Sequence, residues 1–270
     1  MFITHDNCQR LLAKYSQTFD KLSTFFEGNS RVLKEIPDEP DLLLSRMKDT
    51  VFSRKDGPVV VPGIGAVRTE IDGILARYLQ FSDRLCPTST LAVSDGITLV
   101  ERHAVAPVEV VVKAAFVGSP KHVYKGMDGC RTRSGNILRS EDVHEPYVRF
   151  DWRIPYPGED RCMPEGLADR FIDVKAATRT ALCAFDHLYR FLRLFDFNLL
   201  DVCFFMNEEG TVICGEVSTD NMGIAYAGDD TALRELFARR EKQVAVEKAR
   251  EFLRLLVDRR YARPVLGRSS

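Results

Sequence analysis

A lysine set in an otherwise apolar run is the first group in this chain that could do chemistry. In Pro107-Val108-Glu109-Val110-Val111-Val112-Lys113-Ala114-Ala115-Phe116-Val117-Gly118-Ser119, the Lys113 ammonium is costly to bury unless it faces a cleft or an anion. The run ends in Gly118 and Ser119, whose backbone N–H groups and hydroxyl can approach a phosphate closely. The residues alone fit equally a buried strand with an edge lysine and a turn. A second set is acidic. Asp201 lies in the apolar run Leu199–Phe205, and Glu216 and Asp220 follow in Gly215-Glu216-Val217-Ser218-Thr219-Asp220-Asn221. Three carboxylates converging on one hairpin could hold a divalent cation or orient an amine. Acids at strand ends also satisfy turn N–H groups, so both readings stand. The third set is the basic C-terminal helix. Most of its charges fit a solvated face with i,i+4 pairs, while one of Arg234, Arg239 and Arg240 could reach a phosphate.

Other residue types carry less. The seven cysteines are an odd, widely spaced set without a C-x-x-C pair or a zinc-like spacing to a histidine. They read as reduced, structural thiols, and no residue is assigned as a metal ligand. His187, one of five histidines, reads as packed in a helix. Gly63-Ile64-Gly65 lacks the third glycine of a dinucleotide fingerprint, and no G-x-S-x-G, H-E-x-x-H or Walker loop occurs.

The elements that must position these groups follow from periodicity. Leu11, Leu12, Tyr15, Phe19, Leu22 and Phe25 predict a helix over 5–26, ended by Gly28-Asn29. Strands are predicted at 31–36 and 41–47, a long loop over 53–66, and a helix from Val67 to Phe81. Further strands are predicted at 96–102 and 107–117. Residues 118–165 read as a functional loop region with short strands near 136–139 and 146–153. A long helix over 166–194 precedes a hairpin of 198–206 and 211–218, turning at Asn207–Gly210, and a helix runs from Asp230 to Asp258. Without regular β-α alternation, the fold class is α+β.

Composition narrows the function. The 270 residues hold 38 Lys plus Arg against 39 Asp plus Glu, a net charge of −1 that gives no general grip on nucleic acid. No apolar run approaches a membrane span, and Met1–Asp6 lacks signal-peptide features, so the expectation is a soluble cytoplasmic protein with neither nucleic-acid nor membrane partners. Homo-oligomerisation is left open.

The Pro107–Ser119 segment resembles the signature of the SAICAR synthetases, which join aspartate to a carboxyaminoimidazole ribonucleotide with ATP in purine synthesis. The resemblance runs in order from about residue 27 to 255. Glu27-Gly28-Asn29-Ser30-Arg31-Val32 stands at the family's nucleotide loop and Asp49-Thr50 at its Asp-Thr. Leu199-Leu200-Asp201 and Gly215–Asp220 stand at its second signature and acidic segment. It implies an extra N-terminal helix (1–26), a smaller β-rich lobe (27–105), a larger α+β lobe (106–270) and a cleft between the lobes. It also implies ATP and Mg2+ as cofactors, with Asn29, Ser30 and Arg31 at the nucleotide. Lys113, Gly118 and Ser119 would hold a small-molecule ribonucleotide, joined by Arg239 as the substrate-binding candidate from the basic helix, and Asp201, Glu216 and Asp220 would be the catalytic acids.

The chain departs from the family at identifiable points. Lys113 stands for an Arg, and Asn29 and Arg31 stand for loop lysines. Cys203 and Phe205 replace a lysine and an acid, Gly215 replaces an Asp, and Gly223 an Arg. The expected function is therefore a SAICAR synthetase-like carbon–nitrogen ligase acting on an imidazole- or purine-type ribonucleotide, recruited to a purine-like nucleoside natural product. The alternatives are a member that has lost Mg-ATP and works without it, and a non-catalytic nucleotide-binding or scaffold protein.

Overall fold

Two antiparallel sheets, each showing five strands among the described residues, organise the chain. The structure is a computed structural model that describes residues 5–53, 57–81, 86–116, 126–139, 142–154, 160–238 and 245–262. In chain order the elements are α1 (His5–Tyr15), a 3-10 turn (Ser16–Lys21), β1 (Thr24–Glu27), β2 (Arg31–Glu35), β3 (Leu42–Met47), β4 (Thr50–Ser53), β5 (Gly57–Val60) and α2 (Ile64–Gln80). There follow β6 (Thr90–Ser94), β7 (Ile97–Glu101), β8 (Val105–Ala115), β9 (Val143–Trp152), β10 (Arg161–Met163), α3 (Glu165–Ala168) and α4 (Val174–Arg193). The last are β11 (Phe197–Asn207), β12 (Met222–Tyr226), α5 (Thr231–Ala238) and α6 (Ala245–Ala262). The sheets run β1-β2-β3-β7-β6 and β10-β9-β8-β11-β12, with β4 and β5 forming a separate ribbon. The fold class is α+β.

Alternation along the strands of the second sheet sorts its two faces. Val108, Val110 and Val112 of β8, Phe150 of β9, and Val202, Phe204 and Met206 of β11 enter the main core with α2, α4 and α6. The intervening residues form the opposite face. Strand register sets three cross-sheet rows, each with its β8 residue in the middle: Asp201, Lys113 and Tyr147; Cys203, Val111 and Arg149; and Phe205, Glu109 and Asp151. This second face is the floor of the site. A smaller core packs Cys8, Leu12 and Phe19 against Leu42, Leu44, Ile97 and Leu99 of the first sheet.

Several predicted elements differ in the structure. The helix expected over 5–26 gives way after Tyr15, because β1 pairs with β2 and Lys34 Nζ donates to the Leu22 carbonyl at 3.0 Å. Phe25, counted in the apolar stripe, is exposed on β1. The loop expected over 53–66 contains β5 and the start of α2. β6 went unforeseen, and 136–139 contributes only the isolated Arg131–Ile137 bridge.

The expected hairpin of β11 with 211–218 turns at Asn207–Gly210 but reaches only a single Met206–Ile213 bridge, and the longer ladder on β11 is made by β12. Cys214 N and Gly215 N both donate to the Phe205 carbonyl, at 2.7 and 3.1 Å, while further pairing is cut short because Ile213 N donates to the Pro87 carbonyl and Ser89 N to the Ile213 carbonyl, at 2.9 and 2.8 Å. The predicted 166–194 helix is divided, and Asp173 caps α4 by accepting from Ala176 N at 2.8 Å. The C-terminal helix is also two helices, α5 and α6, with 239–244 outside the described residues.

Candidate functional site

Glu216 and Asp220 converge on a residue the sequence reading did not single out. Arg68, on the second turn of α2, is 1% exposed and grips Glu216 with Nε at 3.1 Å and Nη2 at 2.7 and 2.6 Å. Asp220 lies 3.3 Å from the same Nη2, and Arg68 Nη1 donates to the Thr50 carbonyl at 2.8 Å. The Ser218 hydroxyl donates to Glu216 Oε1 at 2.6 Å, and Asn221 Nδ2 donates to the Glu216 and Cys203 carbonyls at 2.6 and 2.8 Å. The 216–221 segment is thus fixed from both sides. Burial, reinforced by the Glu216 charge and opposed by Arg68, pushes the Asp220 carboxyl above its ordinary value. Arg68, Asp220 and Gly223 line a cavity of about 270 Å3 whose far wall comes from α5 and α6.

Asp72, one helical turn after Arg68, braces the same segment. It accepts from Val217 N at 2.7 Å and from the Thr90 hydroxyl at 3.1 Å. Burial and the nearby Glu216 raise its carboxyl to about 7, against the pull of those donors. The start of α2 is placed by Asp49, which accepts from Gly65 N at 2.9 Å. Gly65 is required there, since a Cβ would stand 2.5 Å from the Met47 carbonyl oxygen.

Lys113 is fully buried and its ammonium bonds to Asp201 across the β8–β11 pair. Its partner is therefore a carboxylate of this chain, 23% exposed. Asp201 also lies opposite Gly223 on β12, where any Cβ would collide with the Asp201 carboxylate. The arginine expected there by resemblance has no room in this arrangement.

The β1–β2 turn meets these groups from the first sheet. The Thr50 hydroxyl donates to the Asn29 carbonyl at 2.6 Å, Lys48 N to the Ser30 carbonyl at 2.8 Å, and Arg31 Nη1 to the Cys214 carbonyl at 3.1 Å. Arg31 is charge-coupled to Glu216, Asp72 and Arg153, and burial pulls its guanidinium below its usual range. Asn29, Ser30, Arg31, Glu216 and Asp220 are thus brought to one region, with Lys113 and Asp201 joined to it through Gly223. Gly118, Ser119 and Arg239 lie outside the described residues. Arg68 and Asp72 are the positions the sequence reading missed. Their signal was two charges at i,i+4 among Ile64, Ile71 and Leu75 on the buried stripe of α2.

No family profile matches the chain. Solved structures do. A phosphoribosylaminoimidazole-succinocarboxamide synthase from Ehrlichia chaffeensis superposes with a TM-score of 0.71 at 16% identity, covering 90% of this chain and 100% of that one. A SAICAR synthetase in complex with ADP gives 0.69 at 19%, covering 87% and 98%, and the Saccharomyces cerevisiae SAICAR synthase in complex with SAICAR gives 0.64 at 15%, covering 88% and 95%. The chain has the SAICAR synthetase fold. A curated relative is 21% identical over 246 residues: the "Bifunctional cordycepin biosynthesis cluster protein 3" of Cordyceps militaris. The match takes in 76% of this chain and 28% of the length of that protein.

At three positions of this SAICAR synthetase fold the residues do not fit the magnesium-bound ATP that the family resemblance implies. At the positions where the family resemblance places a lysine and two acids stand Cys203, Phe205 and Gly215. Burial holds the Cys203 thiol protonated, far above the usual thiol range. The Phe205 ring occupies the space beside Gly215, where a Cβ would meet it at 3.0 Å. None of the three offers the hard oxygen donor that magnesium requires. Cations border the same floor instead. The Arg153 guanidinium lies 4.5 Å from the Phe205 ring centroid, and Arg149 pairs with Asp151 at 2.7 Å while its Nη1 is buried without a hydrogen-bond partner. Phe205 and Gly215 are one packed arrangement, so the two departures depend on each other.

Proposed function

We propose that this chain binds an imidazole- or purine-type ribonucleotide and acts as a SAICAR synthetase-like carbon–nitrogen ligase in making a purine-like nucleoside product. The observation that carries the proposal is the buried Arg68–Glu216–Asp220 cluster at the rim of the cavity. Buried ion pairs add little to stability relative to apolar packing, and perturbed carboxyls collect at sites of chemistry. The fold and the cordycepin-cluster relative support the substrate class.

In this reading Arg68 and Ser218 hold Glu216 rigid, and Asp220 faces the cavity to receive the proton an amine sheds as it displaces the leaving group of an activated ribonucleotide carboxylate. The raised pKa of Asp220 makes it a better acceptor than an ordinary carboxylate. Lys113 pairs with Asp201 and places it on β11 at the floor of the site. Arg31 and Arg153 bring guanidiniums suited to phosphate to this region, while Arg149 and Lys113 are already paired with Asp151 and Asp201. The filled Phe205–Gly215 position favours a second reading of the same site: a nucleotide binder that works without Mg-ATP, on a carboxylate activated elsewhere, or that does no chemistry.

Incubation with carboxyaminoimidazole ribonucleotide and a panel of amines, with and without Mg-ATP, tests the ligase reading. Mass spectrometry should find an amide product that Asp220→Asn reduces at least ~100-fold, the scale of a positioned base. Ribonucleotide binding with no product under any condition would favour the binder. Neither binding nor product would overturn both.

A further inference from the structure

Three sulfur and nitrogen donors meet far from the cavity. Cys86, just beyond α2, brings its Sγ to 3.0 Å from Cys183 Sγ on α4, and His187 lies one helical turn further along the same face. A donor atom from each lies within 4.8 Å of both others. His187 Nε2 is buried and has no hydrogen-bond partner among the described residues. Buried polar atoms are nearly always satisfied, so this nitrogen calls for an explanation. The Tyr78 ring stands edge-on to the imidazole at 6.5 Å and stacks on Phe191 at 4.2 Å, which limits rotation of His187 away from the sulfurs.

We infer that Cys86, Cys183 and His187 form a soft-metal site that takes a zinc ion. Two thiolates and one imidazole match the ligand types zinc prefers, with the fourth tetrahedral position taken by water or a small ligand. Zinc held ~2.3 Å from each sulfur places the two sulfurs ~3.8 Å apart, so the cluster needs to open by less than ~1 Å. A disulfide would use the two sulfurs and leave the imidazole unsatisfied, whereas a metal engages all three donors. Binding releases the thiol protons, and the ion's own charge then holds the sulfurs as thiolates.

The site's place in the fold gives it a role. Arg68 and Gln80 are ~18 Å apart along α2, so the cluster is separate from the ribonucleotide region. A metal there would clasp the middle of α4 to the start of the 86–90 segment. That segment bonds to Ile213, three residues before Glu216. The site is therefore a structural tie behind the acidic segment.

Tag-free, reduced full-length protein titrated with cobalt(II) tests the inference. One equivalent should bind per chain, with sulfur-to-cobalt charge-transfer absorption and the visible bands of a tetrahedral site, and zinc should displace it. Cys183→Ser and His187→Ala, both at half-buried positions, should each lower zinc affinity at least ~100-fold, and zinc should raise the melting temperature of the wild type alone. His187→Asn serves if the alanine variant misfolds. Cobalt binding without those bands, variants within ~3-fold of wild type, or reduced protein that takes up no cobalt and reforms a Cys86–Cys183 disulfide would each overturn it.

Discussion

Replacing Arg68 by methionine removes a buried cation while keeping most of the side-chain stem. In the wild type this guanidinium makes three contacts of 2.6–3.1 Å to Glu216, one of 3.3 Å to Asp220 and one of 2.8 Å to the Thr50 carbonyl. Its loss strands two carboxylates in a poorly solvated place, and breaking such a buried pair costs roughly 3–5 kcal/mol. For a chain of this size that corresponds to a fall of roughly 6–20 °C in melting temperature. The sign with pH is also fixed. Without Arg68, Asp220 loses the cation that opposes the upward push of burial, so the variant regains stability as pH falls and loses it as pH rises. Urea unfolding at pH 5 and pH 8 reads both effects. Adding Glu216→Gln should return at least ~1 kcal/mol at pH 8, as expected for groups in one network. A loss under ~1 kcal/mol, or the same loss with and without Glu216→Gln, would refute the role given to the cluster.

Lys113→Ala should destabilise the protein by leaving Asp201 unpaired at a largely buried position, whereas Lys113→Arg should keep the pair; thermal melts and ribonucleotide calorimetry on both separate stability from binding. Asp72 sits protonated below about 7 in the fold but ionises near its ordinary 3.8 when unfolded, so its contribution is complete below ~4 and is lost as pH rises through 7. The span corresponds to at most roughly 4 kcal/mol, and Asp72→Asn should flatten that part of the pH–stability curve measured by denaturant titration. Gly215→Asp alone should cost roughly 1–3 kcal/mol by overpacking against Phe205, and Phe205→Ala in the same chain should recover part of it, as read by urea midpoints.

The strands that build the site floor were readable because their apolar residues alternate. Val108, Val110 and Val112 leave Lys113 on the other face, and Phe204 leaves Cys203 and Phe205 there. The long helix α4 was readable from Val174, Phe185, Leu188 and Leu192, all buried. What was not readable depends on distant partners. Arg68 looks like any polar residue of an amphipathic helix until Glu216, 148 positions later, is placed against it. The pairing of 211–218 with β11 stops at one bridge because Pro87, Ser89 and Asp72 claim the rest of that backbone, leaving the longer ladder to β12, and none of these is near in sequence. Lys113 was singled out correctly as an unusual buried cation, but its neighbour Asp201 lies on a strand 88 residues away. Cys86 is separated by 97 residues from Cys183, so the three-donor cluster had no local spacing to display.

In the proposed function the Arg31, Lys113–Asp201 and Arg68–Glu216–Asp220 groups form a ribonucleotide site that does not rely on magnesium. Calorimetric titration of the wild-type chain with carboxyaminoimidazole ribonucleotide and with AMP, each with Mg2+ and with EDTA, tests it most directly. Micromolar binding of a ribonucleotide that Mg2+ leaves within ~3-fold, with the matching nucleoside at least ~10-fold weaker, is the expected result. No binding of either ribonucleotide, or binding that appears only with Mg2+, would contradict it.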